Sequence, residues 1–197
     1  MGSEKNGSLC ASPWLKISKE VDPADASATL SFLEALGAAA PVLPNWNARG
    51  AYDALFRNFI KLRHIQPGRI SISILAKPCL SNGYGTLHGG SVGTLAEILS
   101  TACARTVVAE DKELFLGEMS ISYMSATPAN HYSTSVAQFI SIRPGDCFGS
   151  EEVLATASVV KSGRNLTVVA AEFKLKKNGN VAYNTRATFY NMPLARL

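Results

Sequence analysis

The chain has 197 residues, room for one domain with an extension, and its 47% hydrophobic content is ordinary for a globular protein with a real core. A net charge of +4, spread without an aromatic-basic platform, excludes a nucleic-acid surface and mildly favours an anionic partner such as a phosphorylated cofactor. No run of eighteen apolar residues marks a membrane span, and four scattered cysteines with three histidines argue against a metal site and for a reduced, intracellular protein.

Residues 1–22 are rich in Ser, Gly and Lys and read as a mobile tail. Their polar start lacks the apolar core of a signal peptide, and Asn6 breaks the myristoylation pattern. Residues 25–40 carry Leu30, Phe32, Leu33 and Leu36 at near-helical spacing, which predicts a helix packing on the domain or on a partner; Pro41, Pro44 and Asn45 end it. A second short helix is expected over residues 52–59. The chain thus divides into an extension (1–48), a domain (49–191) and a tail (192–197).

Within the domain, strands are expected at 60–66 and 69–76, joined by the turn Pro67-Gly68. Ile70, Ile72 and Ile74 alternate with Ser71, Ser73 and Leu75, the pattern of a half-buried strand. A loop over 78–87 leads to a helix at 90–108 that is apolar on nearly every side and is therefore expected to be buried all round. Strands follow at 115–125, 153–161, 166–176 and 181–191, with Asn178-Gly179 predicting a two-residue hairpin between the last two. The fold class is α+β, an antiparallel sheet around one long central helix.

The chemistry concentrates where the loop meets that helix, in Asn82-Gly83-Tyr84-Gly85-Thr86-Leu87-His88-Gly89-Gly90. A helix N-terminus has free N–H donors and a partial positive charge, so it can hold a developing oxyanion. Glu97 is the only charged residue between His88 and Arg105, and an acid on an apolar helix needs a partner or a task. A desolvated acid is held toward the range of a general base near neutrality. Gly89 and Glu97 are eight residues apart, about 12 Å along one helix. One helix cannot place both around one reacting carbon, whereas two antiparallel helices about a two-fold axis can. A C2 dimer with two equal sites is expected.

The His88-Gly89-Gly90 motif, with Asn82 six residues before it and Glu97 eight after Gly89, resembles the signature of the hotdog-fold acyl-CoA thioesterases. The similarity continues in residues 116–126 (Leu116-Gly117-Glu118-Met119-Ser120) and 159–166 (Val159-Val160-Lys161-Ser162-Gly163-Arg164), covers residues 50–191, and is greatest to the acyl-CoA thioesterase 13-like branch in plant-type form. The resemblance implies a hotdog fold, a site at the dimer interface, tetramers in some relatives, and hydrolysis of acyl-CoA to free acid and coenzyme A. Coenzyme A is then part of the substrate, and no cofactor is expected.

It also assigns roles. Gly89 donates its N–H to the thioester oxygen; the plain alternative is that Gly89 and Gly90 permit a tight turn. Asn82 donates to the same carbonyl or to water, or forms a turn with Gly83. His88 holds the loop rather than acting as a base. Glu97 activates water or attacks the thioester; its position is Asp in the thioesterase 13 branch and Glu in the 4-hydroxybenzoyl-CoA branch, so both stay open. Thr101, one turn on, orients the carboxylate or water, or bonds back to its own helix. Leu116 departs from the family, which has a water-holding serine in the thioesterase 13 branch, so Thr101 or Ser100 would have to compensate. Lys161, Gly163 and Arg164 form a polar turn to grip coenzyme A phosphates, with a solvated hairpin tip as the alternative. Cys103 is read as packing.

Two features stand apart. Residues 131–142 form a β-prone insertion between 129 and 149, longer than the family's connection. Ala195-Arg196-Leu197 resembles a peroxisomal address, giving peroxisome or cytoplasm as the expected location. A non-catalytic acyl-CoA-binding module is the rival reading, motivated by Leu116 and the insertion; a dehydratase is disfavoured by the motif spacing.

Overall fold

The computed structural model describes residues 17–35, 51–57, 59–128 and 151–193. The 131–142 insertion, the 143–146 turn and the terminal tripeptide lie outside them. The chain divides into two compact units, residues 1–53 and 54–197. In the first unit, helix α1 (Pro23–Ala35) starts where the sequence provides a start signal. Asp22 Oδ1 accepts from Ala24 N at 2.7 Å, and Pro23 opens the helix without needing its missing N–H. Helix α2 (Ala51–Arg57) crosses into the second unit and puts Phe56 into that unit's core.

Six strands make one antiparallel sheet: β1 (Ile60–Gln66), β2 (Arg69–Leu75), β3 (Lys112–Tyr123), β4 (Glu152–Ser162), β5 (Leu166–Leu175) and β6 (Val181–Pro193), in the order β1-β2-β4-β5-β6-β3. Helix α3 (Gly89–Arg105) packs on the sheet, against β2 to β6. Its Val92, Leu95, Ala96, Leu99, Cys103 and Ala104 pack in one core with Ile72 and Ile74 of β2, Val153 of β4, Phe173 of β5 and Phe189 of β6. Ala155, Ala157, Ala171 and Ala187 fall on the same inward face of the three central strands, and their small side chains let the helix come close. Each fully buried Leu or Phe here contributes on the order of 2 kcal/mol by removal from water.

The Pro67-Gly68 turn pins the far end of α3. Gly68 takes the positive φ of 73° that favours glycine, its N–H donates to Thr106 Oγ1 at 2.8 Å, and its carbonyl accepts from Val159 N and Cys103 Sγ. Burial pushes the Cys103 thiol up, so it is a packed neutral group. This agrees with its reading as packing.

Two expectations require correction. Helix α3 is not buried all round in the protomer: Gly90, Glu97, Ile98 and Arg105 are exposed, and Thr94 and Thr101 are half-buried. These residues follow helical spacing and form one open stripe; the sequence hides it because the stripe is made of Gly, Thr and Ile as well as charge. The β5–β6 connection is also not a two-residue hairpin. Residues 176–179 form a longer loop, closed by Gly179 N to Leu175 O (2.8 Å) and Leu175 N to Asn180 O (2.9 Å), with Gly179 at φ 72°. The Asn-Gly pair serves its turn, but as the tail of a bulged loop.

Candidate active site

The loop from β2 to α3 is a fastened structure built around Asn82. The Asn82 side chain accepts from Tyr84 N (3.0 Å) and Thr86 N (3.2 Å) and donates to Thr86 Oγ1 (2.9 Å), while its backbone N–H reaches Thr86 O (2.8 Å). Gly85, at φ 71°, turns the chain between them. One of the two amide N–H groups of Asn82 is thereby committed within the loop. Leu87 N donates to Thr127 O and His88 N to Leu80 O, so the loop is tied to both flanking segments.

His88 is the N-cap of α3. Its backbone is extended (φ −64°, ψ 136°), its Nδ1 accepts from Gly90 N at 2.9 Å, and its carbonyl accepts from Val92 N at 3.0 Å. These bonds join the end of the loop to the first turn of the helix. Gly89 is the first residue of the helix and has no positive φ, so backbone conformation alone does not demand glycine there. Its carbonyl accepts from Tyr123 Oη at 3.0 Å, and a Cβ on it would sit in ordinary contact, 3.5 Å, with that hydroxyl. A Cβ on Gly90 would be tighter, 3.1 Å from His88 Nδ1.

Glu97 lies two turns further along α3, exposed to solvent, with Thr101 half-buried one turn beyond it. The open stripe that carries them borders β3. A Cβ on Gly93 would meet Ile121 Cδ1 at 3.8 Å, just as Gly89 meets Tyr123. β3 is also an edge strand of twelve residues, with Phe115 and Tyr123 exposed on it and Met124 exposed just past its end. Leu116 is half-buried and packs against the core. Ser100 Oγ, on the same helix, is buried with no hydrogen-bond partner. A single chain therefore joins Asn82, His88, Gly89 and Gly90 through one loop and helix start, and leaves Glu97 exposed and Thr101 half-buried further along α3.

Lys161, Gly163 and Arg164 are exposed on the β4–β5 turn. That turn sits at the end of the sheet where Phe189–Pro193 of β6 and the start of β3 lie, whereas Gly89 sits at the opposite end with Tyr123 and Tyr183. Within one chain the turn and Gly89 thus lie toward opposite ends of the sheet. A depression of about 290 Å³ on the outer sheet face, lined by His64, Gln66, Arg69, Ser71 and Thr156, shares no residue with this site.

Two supporting roles emerge only from the structure, although Tyr123 itself can be read from the sequence as a residue shaping the pocket. Tyr123 fixes the Gly89 carbonyl, and Tyr183, its hydroxyl at 2.8 Å from Thr127 Oγ1 and its ring edge-on to Tyr123, braces the loop's neighbour. Burial pushes the Tyr183 hydroxyl up, keeping it a neutral donor. Tyr123 and Tyr183 are visible in the sequence, but their pairing depends on the β3–β6 register.

Residues 59–176 match the family model described as Domain of unknown function (DUF4442). The chain belongs to the DUF4442 family. Among solved structures, it is similar to zebra fish Thioesterase Superfamily Member 2, with a TM-score of 0.58 and 23% identity over 74% of this chain and 89% of that one. It is also similar to smu.793 from Streptococcus mutans UA159, solved bound to acetyl CoA, with a TM-score of 0.55 and 14% identity over 70% of this chain and 91% of that one. These likenesses establish the hotdog fold for the DUF4442 domain. A Caenorhabditis elegans protein named "Putative esterase F42H10.6" is 30% identical over 112 residues, which are 57% of this chain. The match spans about half, 54%, of that relative's length.

Proposed function

We propose that this DUF4442 protein is an acyl-CoA thioesterase that works as a homodimer, with each active site shared between two subunits. The observation that carries the reading is the split of the site. A capped helix N-terminus presents Gly89 N–H, and the acid lies about 12 Å further along the same helix on an uncovered stripe. An antiparallel second copy on that stripe would face Gly89 of one subunit with Glu97 of the other, and would cover the adjoining β3 edge, which is otherwise an aggregation liability. The fold shared with thioesterase-superfamily structures and with an acetyl-CoA complex supports the choice of substrate class.

In this mechanism, Gly89 N–H and the α3 dipole stabilise the negative charge that develops on the thioester oxygen. Glu97 of the facing subunit, taken out of water by the interface, either draws a proton from attacking water or attacks the carbonyl carbon itself. The C–S bond then breaks, and the coenzyme A thiolate leaves and is protonated; on the nucleophilic route, water then hydrolyses the acyl–Glu97 anhydride, which releases the free acid and restores the carboxylate. Thr101, one turn from Glu97, is placed to orient the carboxylate or the water. Lys161 and Arg164 offer positive charge to the phosphates of coenzyme A.

The second reading, a binding module without turnover, is favoured by one observation: Leu116 puts an apolar side chain at the position where the resemblance leads one to expect a water-holding serine. Steady-state thiol release from short, medium and long fatty acyl-CoAs and from benzoyl-type CoAs, with Glu97→Ala alongside, separates the two. Turnover lost in the variant supports the thioesterase; saturable coenzyme A ester binding without turnover supports the module.

A further inference from the structure

The β4–β5 turn carries more scaffolding than a hairpin needs. Gly163 N donates to Leu166 O at 2.9 Å, which closes the turn on itself. A third strand then holds it as well. Asn191, on β6, donates through Nδ2 to Gly163 O at 2.8 Å and through its backbone N–H to Asn165 O at 2.9 Å. The same amide exchanges hydrogen bonds with Thr167 Oγ1 at 3.0 and 3.1 Å, and Thr167 Oγ1 lies 3.1 Å from Ser162 Oγ. Thr167 is fully buried and Asn191 nearly so. Burying an amide and a hydroxyl is costly unless they are satisfied, and an apolar pair could have filled the space. What this network adds is a fixed path for residues 162–165.

Those residues include Arg164 and directly follow Lys161, the two cationic side chains of the turn. Both are exposed, and neither is in an ion pair among the described residues. A flexible tip would lose ordering entropy on gripping a polyphosphate; a tip held in advance loses less. Gly89 begins α3, which is about 24 Å long over its sixteen residue steps, and the turn lies toward the other end, where Gly68 joins Val159 to Thr106. In an antiparallel dimer, the turn of one subunit falls at the end that carries its partner's Gly89.

We propose that Asn191 is a positioning residue: it presets the 161–165 turn to bind the phosphorylated nucleotide part of an acyl-CoA. The inference rests on the thioesterase reading and adds to it the group that sets affinity for the nucleotide. Asn191 touches no reacting atom, so its removal acts on KM and leaves kcat in place.

The experiment compares wild type, Asn191→Ala, Arg164→Ala and the double variant, with an acyl-CoA and with the matching acyl-pantetheine, which lacks the nucleotide. Asn191→Ala is expected to raise KM for acyl-CoA about tenfold with kcat within about twofold. It should leave KM for acyl-pantetheine unchanged, and add little in the Arg164→Ala background. An unchanged KM, an equal loss on both substrates, or full additivity with Arg164→Ala overturns the proposal while the thioesterase reading stands. Absence of turnover in wild type overturns the reading and the proposal together. Ser162→Ala, which trims only the exposed rim of the network, gives the same test if Asn191→Ala does not fold: a rise in KM of about two- to threefold on acyl-CoA alone supports the proposal, and none contradicts it.

Discussion

Replacing Gly89 by proline removes one N–H and disturbs little else. Gly89 is the first residue of α3, where an N–H has no partner within the helix and where proline is favoured. The preceding residue, His88, already has the extended backbone (φ −64°, ψ 136°) that a following proline requires. A Cβ at this position meets Tyr123 only at 3.5 to 3.7 Å, ordinary contact. The fold should therefore tolerate Gly89→Pro, and loss of unfolded-state freedom should raise stability by up to about 1 kcal/mol. Loss of the oxyanion donor should lower kcat by about 100- to 1000-fold, or about 3 to 4 kcal/mol in the barrier. Gly89→Ala keeps the N–H and directs its methyl toward Tyr123, so it should retain activity within about tenfold. Thiol release at saturating acyl-CoA, with Tm by calorimetry, reads both effects. Proline and alanine variants of equal activity would refute the donor role, and a large fall in Tm for either would refute the steric argument.

Other consequences concern the scaffold. Glu152 is paired with Lys176 and Arg63, and hydrogen bonds from these two cations hold its carboxyl down to about 2, from an ordinary 4.5. Its contribution is full above about pH 4.5 and is lost as pH falls toward 2, so the Tm gap between wild type and Glu152→Gln should narrow over that window. Arg63 and Lys176 are about half exposed, so added salt should shrink the gap at neutral pH. Gly117, at the bulge of β3, lies under the Tyr190 ring: a Cβ there would fall 2.3 Å from Cε2. Gly117→Ala should cost about 1 to 3 kcal/mol in denaturant unfolding, and Tyr190→Ala in the same chain should relieve most of that cost.

The strands were legible because their apolar residues alternate over a full span: Ile70, Ile72 and Ile74 in β2 need no context to be read. Expected limits such as 153–161 and 181–191 differ from Glu152–Ser162 and Val181–Pro193 only at the ends, where pairing with neighbours decides where a strand stops. For His88 the resemblance supplied a loop-holding role, and the structure adds that it is the N-cap of α3. The exposure of one side of α3 was not legible, because Gly90, Thr94, Ile98 and Thr101 give that side much the same composition as a core face. Asn191 was invisible for a different reason. It is twenty-eight residues from Gly163 in sequence, and only the β5–β6 register brings its amide to that carbonyl. The environment of Asn82 was half legible: Asn-Gly announced a turn, but the partner, Thr86, emerged only from the closed loop.

The shared site is tested most directly by complementation between two inactive subunits. Gly89→Pro and Glu97→Ala chains, given different affinity tags and co-expressed, yield a heterodimer that can be purified through both tags. If each site draws Gly89 from one subunit and Glu97 from the other, one of the heterodimer's two sites is intact. Its kcat per dimer should then be about half that of wild type, while both parent homodimers stay near background. A heterodimer no more active than its parents, or a wild-type enzyme that is active as a monomer, would contradict the account.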